Sequence, residues 1–151
     1  MKTVIIGVGN DFQTDDGIGR HIARKLKSKQ LESITVLEIS GEATSLMEAW
    51  TGADQVIIID AMVSGETPGF VHRFDAVDTP LPKDVFPHFS SHTFSVAESI
   101  ELARALNRLP QKIIVYGIEG KDFQSGSGLS PELKNVVDKV SERVLKEIER
   151  S

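Results

Sequence analysis

Two neighbouring acids, Asp15 and Asp16, follow the glycine-rich segment Gly7-Val8-Gly9-Asn10 and stand just before Gly17-Ile18-Gly19. A third acid, Asp60, closes the apolar run Val56-Ile57-Ile58-Ile59, and His92 follows Ser90-Ser91 ahead of a helical pattern. Carboxylates and an imidazole of this kind can hold a divalent cation, activate a water or pass a proton. Asp15 and Asp16 also have an ordinary explanation, because acids at helix N-termini are favoured by capping and by the helix dipole. One of the two is expected to do only that. Asp60 lacks such an explanation. A carboxylate at the buried rim of a sheet is costly unless it has a partner, a metal or a raised pKa. Two carboxylates, one of Asp15 and Asp16 together with Asp60, and the His92 imidazole, drawn from three strand ends, make a mixed oxygen and nitrogen set that suits nickel, zinc, manganese or iron with open positions.

Other chemistries fall away on inspection. Gly7-Val8-Gly9 would need a further glycine at position 12 to read as a dinucleotide fingerprint, and Phe12 stands there. No Gly-Lys-Ser/Thr segment marks a P-loop, and two aspartates would repel a pyrophosphate. The chain has no cysteine, which excludes a disulfide framework, a zinc ribbon, an iron–sulfur cluster and a thiolate nucleophile. No Ser–His–Asp order surrounds a nucleophile elbow. Of the other histidines, His21 reads as a surface residue of the first helix, and His72 alternates with Phe70 and Phe74 like a packed strand residue. His88 and His92 are four apart, but Pro87 and two serines make that stretch a loop. No organic cofactor is indicated.

These groups need a scaffold that brings strand ends together. The chain has 151 residues, enough for a single domain over 1–151, with 40% hydrophobic residues to build a core. Its formal net charge of −5 argues against a dedicated nucleic-acid binder. The N-terminal apolar stretch is too short for a signal peptide or a membrane span, so no membrane association and a cytoplasmic location are expected. Thr3–Val8 and Lys112–Ile118 read as buried strands, Ile34–Ile39 and Gln55–Ala61 as further strands, and Phe70–Phe74 as a half-exposed edge strand. Helical spacing covers Ile18 to Lys27, Thr44 to Trp50 and Phe94 to Leu106. The prolines between Asp78 and His88 predict a loop, and Gly120 to Leu129 a polar glycine loop. Ser130-Pro131-Glu132 predicts the start of one last helix, with Ser130 as N-cap and Leu133, Val136, Val137, Val140, Val144 and Ile148 as its apolar stripe. The expected architecture is an α/β, three-layer α/β/α sandwich around a mostly parallel sheet of about five strands. Ligands of such sheets bind at the carboxyl ends of the strands, where the segment Gly7 to Gly19, Asp60 and Ser90-Ser91-His92-Thr93 fall.

The opening Gly7-Val8-Gly9-Asn10 with Thr14-Asp15-Asp16-Gly17-Ile18-Gly19 resembles that of the [NiFe]-hydrogenase maturation endopeptidases. Asp60-Ala61, Ser91-His92 and Gly128-Leu129-Ser130-Pro131-Glu132 match in order, so the resemblance spans essentially the whole chain. It implies an endopeptidase that removes the C-terminal extension of a hydrogenase large-subunit precursor after nickel insertion. It implies that Asp16, Asp60 and His92 recognise that nickel, which belongs to the substrate. Asp16 or Asp60 is then the candidate general base. Many relatives carry Asp-Gly-Gly in a substrate loop after the second strand, where this chain has Ser40-Gly41-Glu42. Glu42, beside Gly41, is the candidate replacement for that acid, or the loop marks a different substrate subgroup. The alternative reading is a non-catalytic metal-binding or scaffold protein of the same fold.

Overall fold

The computed structural model of the protein describes residues 1–40, 43–82, 84–86 and 95–150, with the side chains of 43–45 left aside. The β-branched run Thr3–Val8 forms strand β1, and every residue in it is buried. Residues that are apolar without alternation must be covered on both faces, and here helices supply both covers. The sheet has five strands in the order β2-β1-β3-β5-β4, with β2 at Ile34–Ile39, β3 at Gln55–Met62, β4 at Val71–Asp75 and β5 at Lys112–Glu119. All neighbouring pairs are parallel except β4 with β5. On one face lie helices α1 (Ile18–Ser28) and α5 (Val136–Glu149), which bury Ile18, Ile22, Leu26, Val140 and Val144 against Ile5, Ile57 and Ile114. On the other face lie α2 (Ala43–Ala49) and α3 (Val96–Ala105), with Leu46, Met47 and Ile100 against Val4, Ile58 and Val115. The chain is thus the expected three-layer α/β/α sandwich. Among the described residues, no helix is long and apolar enough to cross a membrane.

After β1 the chain pairs β2 on one side, then places β3 on the other side of β1. This reversal opens a crevice between the carboxyl ends of β1 and β3, which is where doubly wound sheets bind ligands. The 3₁₀ turn Thr14–Gly17 lies over β3 at this end of the sheet.

Three expectations need correction. The strand expected to stop at Ala61 runs on to Met62, so Asp60 lies inside β3, opposite Gly117 of β5, rather than at its very end. The single last helix is two: α4 (Pro131–Lys134) is followed at once by α5, with a one-residue interruption at Asn135 that keeps helical dihedrals. The apolar stripe therefore stays on one face across the break. Ser130 does not cap this helix with its side chain, because its hydroxyl is engaged elsewhere. By contrast Ser95, just before α3, closes a complete capping box with Glu98.

Candidate active site

The glycines of the opening motif explain how Asp16 reaches β3. A Cβ on Gly7 would strike the Gly19 carbonyl, and one on Gly19 would strike the carbonyls of Ile59 and Val8. A Cβ on Gly9, whose φ is +150°, would strike the Asp16 carbonyl. The glycines thus let the turn and α1 press directly onto the sheet. They make room for protein backbone rather than for a phosphate.

The adjacent acids are separated into two roles. Asp15 is fully buried and accepts four hydrogen bonds. Its Oδ2 takes the backbone N–H groups of Lys121 and Asp122 at 2.8 and 2.9 Å and the Ser130 hydroxyl at 2.8 Å. Its Oδ1 takes the Ser130 N–H at 2.8 Å. Burial pushes this carboxyl up, but the N–H groups of Ser130, Asp122 and Lys121 together hold it below its ordinary value. Asp15 is a staple between the β1 turn and the β5–α4 loop. This is why the Ser130 hydroxyl is not free to cap.

Asp16 is nearly as buried, at 5% exposure, but its carboxylate accepts one resolved hydrogen bond, from the Asn10 N–H at 2.8 Å. Burial pushes its pKa up to about 6 against the opposing pull of that N–H. Asp60 is 3% exposed, and its Oδ1 accepts the Ala61 N–H at 2.8 Å. Its carboxyl is pushed well above the ordinary range, first by burial and then by the charge of Asp16. The two carboxylates therefore sense each other across the crevice. Among the described residues neither has an ion-pair partner, and no group of three His, Asp or Glu side chains could enclose a metal ion. Two unpaired buried carboxylates suit a cation that arrives with part of its own ligand shell. His92, Gly41 and Glu42 lie outside the described residues, as does His88.

His72 is packed as expected, with its ring 4.6 Å from Phe70 and stacked 6.0 Å from Phe74. His21 is half-buried rather than fully at the surface. One residue was missed. Glu119, the last residue of β5, is 1% exposed and accepts the Ser64 N–H at 2.9 Å and the Ser64 hydroxyl, with His72 Nε2 3.5 Å away. It anchors the loop after β3, on the sheet face that carries Asp60. The argument that singles out Asp60, an acid closing an apolar strand, applies equally to Glu119 one residue past Ile118.

Comparison with known proteins places this chain in a family. The family model described as hydrogenase maturation protease matches residues 20–147. The hydrogenase 2 maturation protease of Escherichia coli is 25% identical, over 100% of this chain and 93% of its own length. The structure of the [NiFe] hydrogenase maturation protease HybD from Thermococcus kodakarensis is 28% identical and superposes with a TM-score of 0.71, covering 97% of this chain and 98% of that one. The solution structure of an Escherichia coli endopeptidase superposes with a TM-score of 0.83 at 24% identity, covering 99% of this chain and 93% of that one. The sandwich superposes on these solved structures, and the chain belongs to the hydrogenase maturation protease family.

Proposed function

We propose that the protein is the endopeptidase that trims the C-terminal extension from a [NiFe]-hydrogenase large-subunit precursor once nickel is in place. The observation that carries this reading is the pair Asp16 and Asp60, both buried and both with raised pKa, at the sheet's switch point and, among the described residues, without an ion-pair partner. The nickel is the substrate's cargo and arrives with the precursor. Asp16, Asp60 and His92 contact it from the protease side. Without a cation the two carboxylates disfavour each other's charge, so a metal-free precursor supplies only part of the binding energy. This is a checkpoint built from electrostatics.

The pair divides the chemistry. Asp16, titrating near 6, is ionised at neutral pH and is matched to take a proton from an attacking water. Asp60, the more strongly perturbed, is the carboxylate that gains most when positive charge enters. Water adds to the scissile carbonyl, the C–N bond breaks, and the proton held by the base passes to the leaving amine. This is an aspartic-type mechanism without a covalent intermediate, performed in the cytoplasm. Gly41 and Glu42 are assigned to the loop that handles the substrate.

The test is to mix the protein with a large-subunit precursor, with and without nickel, and follow the mass of the large subunit. Loss of the C-terminal peptide is expected only with the loaded precursor. Asp16→Asn, Asp60→Asn and His92→Ala are each expected to slow processing at least a hundredfold while the fold is kept, in line with removal of a general base or a charge-stabilising ligand. Normal cleavage by all three variants would overturn the assignment. A loaded precursor that binds but is never cut would favour the non-catalytic scaffold.

A further inference from the structure

Among the described residues five large hydrophobic side chains are exposed: Met1, Phe12, Val63, Phe70 and Leu106. Three of them collect at the carboxyl end of the sheet, the end that carries Asp16 and Asp60. Phe12, 74% exposed, follows β1, Val63 is the first residue after β3, and Phe70 leads into β4. Because β4 runs antiparallel to β5 and Val71 pairs with Ile118, Phe70 stands at that same end. Met1 and Leu106 lie at the other end. Met1 precedes β1, and Leu106 closes α3 where Arg104 bonds the Ala76 carbonyl, opposite the start of β5.

The backbone under each of the three is tied down. Phe12 donates its N–H to Asn10 Oδ1 at 2.8 Å, and its carbonyl accepts the Gly126 N–H at 2.9 Å. Asn10 gives its own N–H to Asp16, so Phe12 and that carboxylate share one support. Val63 donates to the Val85 carbonyl at 2.7 Å. Phe70 donates to the Thr67 carbonyl at 3.0 Å and accepts the Glu119 N–H at 2.9 Å. Glu119 holds both ends of the loop between Val63 and Phe70, its carboxylate taking the Ser64 N–H and its carbonyl the Gly69 N–H. An exposed aromatic on a fixed backbone gives up little conformational entropy when it is covered. The three positions follow β1, follow β3 and precede β4, and with β5 between the last two they span three strand spacings, about 14 Å. A bare cation or a small metal complex does not reach across that width, whereas a protein surface does. A stable protein contact also needs about 800 Å² from each partner, far more than two buried carboxylates offer.

We infer that Phe12, Val63 and Phe70 form the docking surface for the folded precursor, and that the precursor presents its cation within an apolar face. The inference rests on the endopeptidase reading for its occupant: the nickel reaches the acid pair on a protein, and the protein that delivers it covers this end of the sheet. The test uses the intact protein with the nickel-loaded precursor for turnover, and with the metal-free precursor, which is not cut, for the dissociation constant. Phe12→Ala and Phe70→Ala are each expected to raise KM about tenfold with kcat within about twofold, and to weaken binding of the metal-free precursor by about the same factor, as for loss of an aromatic anchor. Phe12→Leu should recover most of the loss. Leu106→Ala, at the opposite end, is the control and should change neither quantity, and unfolding midpoints monitor the fold of every variant. Unchanged KM and affinity in both phenylalanine variants, or an equal loss in Leu106→Ala, would overturn the surface. A dimer that the two variants dissociate while KM stays unchanged would overturn it as well and assign these residues to a second copy of the chain. If the natural protein cuts no precursor, the endopeptidase reading falls by itself. The surface then stands if binding of the metal-free precursor keeps its tenfold dependence on Phe12 and Phe70, and falls if it does not.

Discussion

Asp15 and Asp16 are adjacent and both buried, yet their carboxyls move in opposite directions. The difference is the supply of donors: four for Asp15, and one resolved for Asp16. Neutral Asp16 fits the fold better than ionised Asp16. Its pKa rises from 3.8 to about 6 on folding, so the folded chain binds more protons between these values and loses stability as pH rises through that window. A rise of this size corresponds to ~3 kcal/mol. Asp16→Asn is therefore expected to be more stable than the natural protein at pH 7, by about 1–3 kcal/mol in urea unfolding, while processing is lost. Asp15→Ala is expected to do the opposite. It leaves the N–H groups of Lys121, Asp122 and Ser130 without their acceptor and should cost about 3 kcal/mol. Equal destabilisation by the two substitutions would contradict this division of roles.

At the scale of elements, the site depends on how closely the turn and α1 approach β1 and β3. Gly7 and Gly19 face each other across that contact, and a Cβ on Gly19 would meet the Ile59 carbonyl, one residue before Asp60. Backbone carbonyls in a central strand cannot yield as a side-chain tip can. Gly19→Ala is expected to cost more than about 2 kcal/mol. It should also reduce processing beyond what the stability loss explains, because it moves Asp16 relative to Asp60; precursor cleavage measured well below the unfolding midpoint separates the two effects. Much at this scale was legible. The buried strands announce themselves by uninterrupted β-branched runs, and α1 and α5 by apolar residues at helical spacing. The break at Asn135 was not legible, because the apolar stripe continues across it and Asn135 keeps helical dihedrals. Nor was the role of Ser130. Ser before Pro and Glu has the local pattern of a helix cap, but its hydroxyl answers to Asp15, 115 residues earlier in the chain.

Across the whole molecule, two sets of buried carboxyls act against each other. Glu147 of α5 bonds Arg73 of β4 at 2.6 Å and the Tyr116 hydroxyl of β5 at 2.7 Å, fastening the antiparallel edge strand to the helix layer. The Arg73 guanidinium, ahead of the contrary effect of burial, pulls Glu147 down to about 2. A depressed carboxyl contributes stability that is present above its unfolded value of 4.5 and fades as pH falls towards 2. Asp15 acts in the same sense, and Asp16 and Asp60 in the other. Stability is therefore expected to peak at about pH 4, where the gain from Glu147 gives way to the loss from Asp16 and Asp60, and urea midpoints measured from pH 3 to 8 check it. Placing Glu147, Arg73 and Tyr116 in one cluster was beyond sequence reasoning, since the three lie on separate elements joined only by the fold. The sequence by itself determined the fold class, the strands, the absence of thiolate chemistry and the choice of Asp60 as an acid in need of a partner. Those properties follow from local periodicity and residue type. Only the tertiary structure decided which of two adjacent aspartates is saturated with donors and which is left short of them. It also decided that Glu119 is buried on the sheet face that carries Asp60. Hydrogen-bond satisfaction and burial are set by residues distant in the chain, and one sequence carries no local mark of them.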